Sequence, residues 1–382
     1  MSKVLVFEPR TEGHHVPWAG LITSTLIQAG AEVVLAHGDD PAQLERLEDA
    51  HPGLTRSVQR HALKSHGRFD GGSALNALAR ADRRHRPDRV LVANLDEFAA
   101  SLCRRAALGY RLPENLRGRL RGIYIRPRPL DPGEGGFQNA WKRAGYRRLA
   151  AAGAFARIGV LDEDLLVPTN DRIAGVPITW MPDFWTPMKE SDRTVSRETF
   201  GVPMDRLALL FFGVPHRRKG LDLAVEAFDD PRTNGAFLLV AGPQRDDPHL
   251  RERLRKLQRS GRAIVHDRYL DERDMAMAFT AADRILLPYH GHYGSSGVLS
   301  RAASVGLPAI ASDFHLVGRR VVRSNLGVVH RDGDASSLAE AIQRSVNPSE
   351  ATMDGWRAGM ERWKQRTSPE SFARAVLELV DL

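Results

Sequence analysis

Cysteine is almost absent from this sequence of 382 residues, in which Cys103 stands alone. A single thiol excludes an intramolecular disulfide framework and is typical of a reducing compartment. Apolar runs are also short, since none approaches the roughly 20 residues that a transmembrane helix requires. The opening MSKVLVFEPR has the pattern of a short strand and lacks the apolar stretch of a signal peptide. We therefore expect a cytoplasmic protein.

Several familiar site patterns are missing too. No Gly-x-Gly-x-x-Gly follows the first strand, which disfavours a nicotinamide Rossmann enzyme. There is no P-loop pattern, and the histidines show no metal-ligand spacing with cysteine or acidic residues. Cys103 has no histidine near it in sequence to activate its thiol. We expect neither a bound metal nor a cofactor.

Positive charge is concentrated in one segment. Of the 55 Lys and Arg residues, twelve lie within residues 104–148 against three acidic residues, while the whole chain has a formal net charge of +8. Aromatic side chains are interleaved with them, namely Tyr110, Tyr124, Phe137, Trp141 and Tyr146. Single-strand nucleic-acid binders use this mixture, but no recognition motif accompanies it. We therefore expect no nucleic acid, and favour an anionic acceptor or peripheral association of residues 104–148 with the inner face of an anionic membrane.

The hydrophobic pattern predicts an α/β protein with two doubly wound halves, because short apolar runs alternate with longer helical segments. A chain of 382 residues also exceeds what one hydrophobic core usually holds. The predicted strands are residues 3–8, 32–36, 89–93, 122–125, 157–161 and 177–180 in the first half, and 207–212, 236–241, 263–266, 284–287, 309–311 and 327–329 in the second.

Two prolines mark the joint between the halves. Pro182 and Pro187 interrupt the periodicity near residues 181–193, which predicts one domain over residues 1–182 and another over 183–365. The tail forms two helical pieces, the second capped by Ser368 with Pro369 in its first position. We expect the last helix, residues 366–382, to pack back on the first domain.

The strongest local motif is FFGVPHRRKGLDLAVEAF, Phe211 to Phe228. A buried strand ends at Gly213, and a basic turn follows with Arg217, Arg218 and Lys219. Free backbone N–H groups at such a turn, together with its positive side chains, bind anions. The motif therefore predicts a diphosphate site; the alternative is a solvated basic loop.

A second turn lies in LLPYHGHYGSSGVLSRAASVGLPAIASD. Gly294, Ser295, Ser296 and Gly297 precede a predicted helix over 297–305, and serine or glycine at a helix start donates to an anion. The alternative is a capped turn with no ligand. Two anion-binding turns in one half indicate a bound nucleotide diphosphate.

The order of these pieces resembles a known family. FFGVPHRRKG, LLVAGP, VHDRYLDERDMAMAFTAADRILLPY and GSSGVLSRAASVGLPAIASD are similar, over about residues 205–345, to the C-terminal domain of the retaining GT-B glycosyltransferases of family 4, also called group 1. EPRTEGHHVPWAG resembles the opening loop of their acceptor domain. The resemblance implies two Rossmann-like domains facing across a cleft. It also implies metal-independent transfer of a sugar from a nucleotide-diphosphate sugar, with UDP or GDP as the nucleotide.

The resemblance also implies residue roles. Lys219 would contact the donor diphosphate, Tyr269 and Leu270 would pack on the base, and the turn from Gly294 to Gly297 would hold sugar and phosphate through backbone amides. The acceptor would be a glycan, a lipid-linked molecule or a small molecule.

The sequence departs from the family at three positions. The Glu-x7-Glu pair falls on Tyr293 and Arg301, and the usual Arg after the first glycine is Val214. A guanidinium only donates hydrogen bonds, so Arg301 cannot replace a carboxylate that accepts them from the donor. The alternatives are a divergent enzyme and a catalytically degenerate, glycosyltransferase-like partner subunit.

Candidate residues of the first half follow its strands. His14 and His15 come after the first strand, where one of them would contact donor phosphate or acceptor. Asp96 is a candidate carboxylate for the acceptor, with a helix N-cap as the alternative. Arg126 and Arg128 would bind an acidic acceptor or donor phosphate, or are surface charge.

Overall fold

A computed structural model describes residues 1–10, 15–38, 41–63, 71–166, 172–183, 185, 187–214, 216–244 and 247–382. The chain divides into two compact units. The first unit comprises Met1–Pro182 and Phe372–Leu382, and the second comprises Asp183–Ser371. Among the described helices, none is both long enough and apolar enough to cross a membrane.

The first unit is a mostly parallel sheet with helices between its strands. Its sheet order is β3-β2-β1-β4-β5-β6-β8-β7, and β7 pairs antiparallel with β8. The strand order reverses between β1 and β4, as in doubly wound folds. The elements are β1 (Lys3–Glu8), α1 (His15–Gln28), β2 (Glu32–Gly38), α2 (Pro41–Ala50), α3 (Leu54–Ser57), β3 (Gln59–Leu63), α4 (Gly71–His85), β4 (Arg89–Val92), α5 (Asp96–Ala107), β5 (Leu120–Tyr124), α6 (Phe137–Ala151), β6 (Phe155–Val160), β7 (Arg172–Ile173) and β8 (Val176–Trp180).

The second unit is a parallel sheet of order β11-β10-β9-β12-β13-β14. Its order reverses between β9 and β12, so the carboxyl ends of these two neighbours meet at one edge. The elements are α7 (Arg193–Phe200), β9 (Leu207–Phe212), α8 (Leu221–Ala227), β10 (Ala236–Ala241), α9 (Pro248–Arg259), β11 (Ala263–His266), α10 (Glu272–Ala281), β12 (Arg284–Leu287), α11 (Gly297–Ser304), β13 (Ala309–Ser312), α12 (His315–Ser324), β14 (Gly327–His330), α13 (Ala335–Val346), α14 (Glu350–Arg366) and α15 (Pro369–Val380).

The apolar runs predict these strands because both faces of each sheet are covered. In LALLFF of β9 and AFLLVA of β10, nearly every side chain is buried. The predicted strands are confirmed to within a residue or two at their ends. The sequence analysis missed β3, whose QRHAL is largely exposed and therefore lacks the apolar signal.

The end of the chain joins the first unit. The Ser368 hydroxyl accepts the N–H of Ser371 at 3.2 Å and Pro369 is the first residue of α15, which confirms the predicted cap. Phe372 packs edge-on against Trp18, with ring centroids 5.0 Å apart. The helix begins at Pro369 instead of residue 366, and the division between the units falls after Ser371 instead of residue 365.

Cys103 lies in the core of the first unit, 3% exposed. Burial raises the pKa of its thiol to about 12, although the Lys142 charge opposes this. A Cβ on Gly145 of α6 would lie 1.7 Å from the Cys103 carbonyl oxygen, so α5 and α6 pack too closely for any side chain there. The thiol therefore stays protonated near neutral pH and is a packing residue.

Arg197 joins three segments of the second unit. The side chain is almost fully buried, and its guanidinium donates to the carbonyls of Pro203 at 2.7 Å, Met204 at 3.0 Å and Ala281 at 3.0 Å. It also donates to Asp283 Oδ2 at 2.6 Å. The same carboxylate oxygen accepts the N–H of Ala208 at 2.7 Å, so the start of β9 is held by the same group.

Candidate functional site

The basic turn follows β9. Gly213 has φ 100°, and residues 217–219 form a single 3-10 turn that is capped by His216, whose Nδ1 accepts the N–H of Arg218 at 3.3 Å. Gly220 has φ 69°, and a Cβ there would lie 1.8 Å from the Pro288 carbonyl oxygen. Only glycine fits this position, and the basic turn is therefore held directly against the segment that follows β12.

Lys219 is the half-buried cation of the basic turn. Its Nζ lies 3.3 Å from the hydroxyl of Tyr289 and 5.0 Å from the centre of that ring. Within the described chain no carboxylate pairs with Lys219. Arg217 and Arg218 are exposed, and Arg218 contributes its carbonyl, which accepts the N–H of His290 at 3.0 Å. The charge of Lys219 is thus not neutralised by any described carboxylate and can act on a ligand.

The glycine-rich turn begins α11. Ser296 is the N-cap, and its Oγ accepts the N–H of Leu299 at 3.3 Å. The hydroxyls of Tyr289 and Ser296 are 3.1 Å apart. Tyr289 therefore contacts both predicted anion-binding turns, and the structure brings these turns together. The sequence analysis did not single out Tyr289. The sequence feature that could have indicated it is an aromatic residue with a hydroxyl group, two positions after the end of a buried strand.

The neighbouring Ser295 is held from a distant part of the second unit. Its hydroxyl donates to Asp183 Oδ1 at 3.1 Å, and Asp183 Oδ2 pairs with Arg320 Nη1 at 2.8 Å. Arg320 is fully buried and lies over the ring of Trp363 at 5.2 Å. This buried pair, which the sequence analysis also missed, fixes one serine of the turn. Gly294, which has φ 105°, and Gly297 flank the two serines.

Tyr293 is only 1% exposed. Its ring centroid lies 4.1 Å from that of His315, the first residue of α12. His315 has φ 54°, a conformation that non-glycine residues seldom adopt and that the surrounding packing must hold in place. A buried aromatic pair therefore occupies the position onto which the resemblance places the first glutamate of the family's pair.

Arg301 is largely buried on α11. Burial lowers the pKa of its guanidinium, while the nearby Glu272 and Tyr269 raise it. Its Nη1 contacts the sulfur of Met275. Tyr269 is 83% exposed, whereas Leu270 is 8% exposed and belongs to the hydrophobic core. Of the two residues expected to pack on a base, the structure therefore leaves the side chain of Tyr269 accessible.

In the first unit, His14 lies outside the described residues. His15 begins α1 and is buried, with its Nδ1 3.3 Å from Glu8 Oε2 and 3.4 Å from Asn94 Nδ2. Glu8, which ends β1, is only 1% exposed. Glu8, His15 and Asn94 thus form a buried polar cluster where β1 and β4 end.

The N-cap alternative for Asp96 is wrong. Leu95 occupies the cap position, and Asp96 is the first residue of α5. Its carboxylate accepts the N–H of Ile125 at 2.8 Å and the N–H of Arg126 at 2.9 Å. Asp96 therefore fixes the backbone that follows β5, which is the segment that carries Arg126 and Arg128.

The basic segment is not one free cationic surface. Several of its arginines donate to groups of the first unit itself, for example Arg119 to Asp82 at 2.9 Å and Arg143 to the carbonyl of Asp131 at 2.8 Å. Arg121 pairs with Asp381 of the last turn. Part of the excess charge in residues 104–148 is therefore engaged within the first unit, and the predicted association of this segment with an anionic surface concerns its exposed side chains.

Solved structures with this architecture have the GT-B fold. The chain is 14% identical to the Anabaena protein HepE in complex with UDP and glucose, with a TM-score of 0.70 and 100% of both chains covered. It is 12% identical to a glycosyltransferase from Rickettsia africae, with a TM-score of 0.71 and coverage of 100% of this chain and 97% of that one. The predicted two-domain Rossmann-like GT-B fold is confirmed.

Sequence comparison gives a family match for part of the chain. The family described as Glycosyl transferases group 1 matches residues 206–347. D-inositol 3-phosphate glycosyltransferase of Xylanimonas cellulosilytica is 31% identical over 218 residues, which cover 55% of this chain and 51% of that protein. The chain thus spans about half the length of this curated relative. Residues 206–347 thus match the group 1 glycosyl transferases, which confirms the predicted family resemblance over this part of the chain.

Proposed function

We propose that the chain is a glycosyltransferase that moves a sugar from a nucleotide-diphosphate sugar to an acceptor, with retention at the anomeric carbon. The observation that carries this proposal is the contact of Tyr289 with both Lys219 and the N-cap of α11. An ammonium without a carboxylate partner among the described residues, next to the N-terminus of a helix, suits the two negatively charged groups of a diphosphate.

Chemically, this site favours departure of the nucleotide. Negative charge develops on the diphosphate as its bond to the sugar breaks, and preorganised donors around that charge lower the barrier. Lys219 supplies a full positive charge and the start of α11 supplies backbone N–H groups. We propose that these groups suffice without a metal, and that the acceptor attacks from the face that the diphosphate leaves.

We propose that the second unit binds the donor and the first unit binds the acceptor. Tyr269, exposed beside Arg301, would stack on the base. In the first unit, Arg126 and Arg128 follow β5 on a backbone that Asp96 fixes, and they suit an acidic acceptor. UDP is the first donor nucleotide to test, because HepE was solved with UDP and with UDP-glucose.

The test is thermal unfolding with UDP, GDP, ADP, TDP and CMP in turn. A nucleotide at 100 times its dissociation constant stabilises the native state by about 2.7 kcal/mol, which raises the midpoint by a few degrees. We expect one diphosphate to shift the midpoint and CMP to have no effect. No shift with any diphosphate would contradict donor binding.

A donor assay then separates the enzyme from the degenerate partner subunit. The buried Tyr293 and the cationic Arg301, in place of two acidic residues, are the observations that favour the degenerate alternative. We expect the sugar nucleotide of the base selected by thermal unfolding to release its nucleoside diphosphate in the presence of acceptor extract. Tight nucleotide binding without any release, over a panel of sugars, would favour the degenerate subunit.

We propose, second, that α6 rests on an anionic membrane surface. Phe137 is 79% exposed and Trp141 is 36% exposed, and their rings lie 6.0 Å apart on one side of this helix. Arg105 and Arg147 are exposed in the same segment of the sequence. Exposed aromatic residues with cations near them are typical of helices that lie in the membrane interface.

The membrane proposal predicts salt-sensitive binding to vesicles. We expect sedimentation with phosphatidylglycerol vesicles at low salt and little with phosphatidylcholine, since each basic side chain contributes about 1 kcal/mol at an anionic surface. Trp141→Ser should reduce binding several-fold because it removes the apolar contact. Met204→Ser, at a residue of the second unit that is 55% exposed, is the matched control. Equal binding to both lipids, or equal loss in the two variants, would contradict the proposal.

A further inference from the structure

We propose that Tyr289 is a positioning residue for the bound diphosphate. Its hydroxyl accepts a hydrogen bond from Lys219 and donates one to Ser296, which leaves the Ser296 proton for the diphosphate. This inference rests on the proposed function, since it concerns the same anion site. It is carried by two contacts, Lys219 Nζ to Tyr289 Oη at 3.3 Å and Tyr289 Oη to Ser296 Oγ at 3.1 Å.

The direction of these hydrogen bonds follows from the chemistry of the three groups. An ammonium has three protons and no acceptor, so the Tyr289 hydroxyl must accept from Lys219. A phenol has one proton, and the described acceptor within reach of it is Ser296 Oγ. We assign this proton to Ser296 Oγ, so that Tyr289 donates to Ser296 and the unpaired proton of the two hydroxyls lies on the serine.

The same reasoning assigns the hydrogen bonds of the Ser296 hydroxyl. Its Oγ has two lone pairs, one used by the Tyr289 hydroxyl and the other by the N–H of Leu299 at 3.3 Å. Ser296 thus has one hydroxyl proton left, and no described residue accepts it. At the N-terminus of α11 that proton is available to an anion, next to the backbone N–H groups of the same helix start.

This hydrogen-bonded chain from Lys219 through Tyr289 to Ser296, here called the relay, couples the basic turn to the glycine-rich turn. Tyr289 is only 3% exposed and belongs to the hydrophobic core, so its ring is fixed by packing. A positive charge at one end of a hydrogen-bonded chain polarises the hydroxyls that follow it. A phosphate oxygen would therefore meet two donors of one chain, the Lys219 ammonium and the Ser296 hydroxyl, at positions set by a residue that itself does not touch the ligand.

The experiment is a double-mutant cycle on nucleotide binding. UDP, GDP, ADP and TDP are titrated calorimetrically into the full-length wild type, and the tightest of them is titrated into Tyr289→Phe, Ser296→Ala and the double variant. We expect each single variant to bind about tenfold more weakly, as for loss of a hydrogen bond to a charged group. The double variant should bind as weakly as either single one, because each substitution breaks the same chain.

The matched control is Tyr146→Phe. Tyr146 is a buried tyrosine of the first unit, whose hydroxyl donates to the Ile173 carbonyl at 3.3 Å. This variant should bind the nucleotide as the wild type does. A tyrosine with only a packing role would lower the unfolding midpoint of Tyr289→Phe and leave binding unchanged.

The outcomes separate the two proposals. If the wild type binds a nucleoside diphosphate and Tyr289→Phe binds it within twofold as tightly, the relay is wrong while donor binding stands. If the losses in the two single variants multiply in the double variant, Tyr289 and Ser296 act independently and the relay is again wrong. If the wild type binds none of the four diphosphates, the proposed function fails, and the relay fails with it.

Discussion

Arg197→Leu is expected to lower the free energy of unfolding of the second unit by about 3–5 kcal/mol, the usual cost of removing one partner from a buried ion pair. Arg197 is 1% exposed, and its guanidinium donates to the carbonyls of Ala281 and Pro203 as well as to Asp283. Leucine fills part of the volume but leaves the two carbonyls without this donor, and Asp283 loses its buried cationic partner. Urea unfolding followed by circular dichroism would measure the loss.

Arg193→Leu is the matched control for this prediction. Arg193 pairs with the other oxygen of the same carboxylate, Asp283 Oδ1, at 2.6 Å, but its side chain is 47% exposed. Exposed pairs contribute about 0–1 kcal/mol, so this variant should lose little stability. Similar losses in both variants would show that the burial of Arg197 is not what makes it stabilising.

Lys219→Ala is expected to weaken binding of the nucleoside diphosphate by about 10–100-fold, the range for a hydrogen bond from a charged donor. The unfolding midpoint should hardly change, because the side chain is half-buried in a turn and its one described polar contact is Tyr289. Calorimetric titration of UDP and GDP, together with thermal unfolding without ligand, measures the two quantities.

Lys256→Ala provides the comparison for Lys219. Lys256 lies exposed in the last turn of α9, and its substitution by alanine removes one positive charge from the same unit. It should bind the nucleotide as the wild type does, with any difference disappearing at higher salt. If Lys219→Ala and Lys256→Ala lose affinity equally, the assignment of the diphosphate to the basic turn is wrong.

The fold was predictable from the sequence because its strands are short apolar runs with helical segments between them. LALLFF of β9 and RILL of β12 carry that signal directly. The apolar signal does not extend to the edge strand β3, because QRHAL is mostly exposed and has no apolar periodicity. Apolar periodicity thus predicts buried elements well and exposed ones poorly.

The site was predictable only in part. The two turns with Lys219 and Ser296 follow the ends of predicted strands. Anions bind at such strand ends in parallel sheets, so the order of strand and turn in the sequence predicts an anion site. That Tyr289 contacts both turns depends on the packing of segments 70 residues apart in the chain. No local pattern encodes such a contact.

Charge counting gave the least specific prediction. Residues 104–148 contain twelve basic side chains, but Arg119, Arg121 and Arg143 bind groups of their own unit. A sequence shows how many cations a segment has and not which of them are already paired. The structure adds that Phe137 and Trp141 are exposed although they are aromatic, which the sequence does not show.

The return of the last helix has a consequence for how the chain is made. Phe372 packs on Trp18 and Asp381 pairs with Arg121, so the first unit includes residues that are translated after the whole of the second unit. Domains usually fold in order as they leave the ribosome. Here all of the second unit emerges before the first can acquire its final helix. The first unit is therefore completed after the second, and during translation its apolar surface around Trp18 stays uncovered until residues 372–382 emerge.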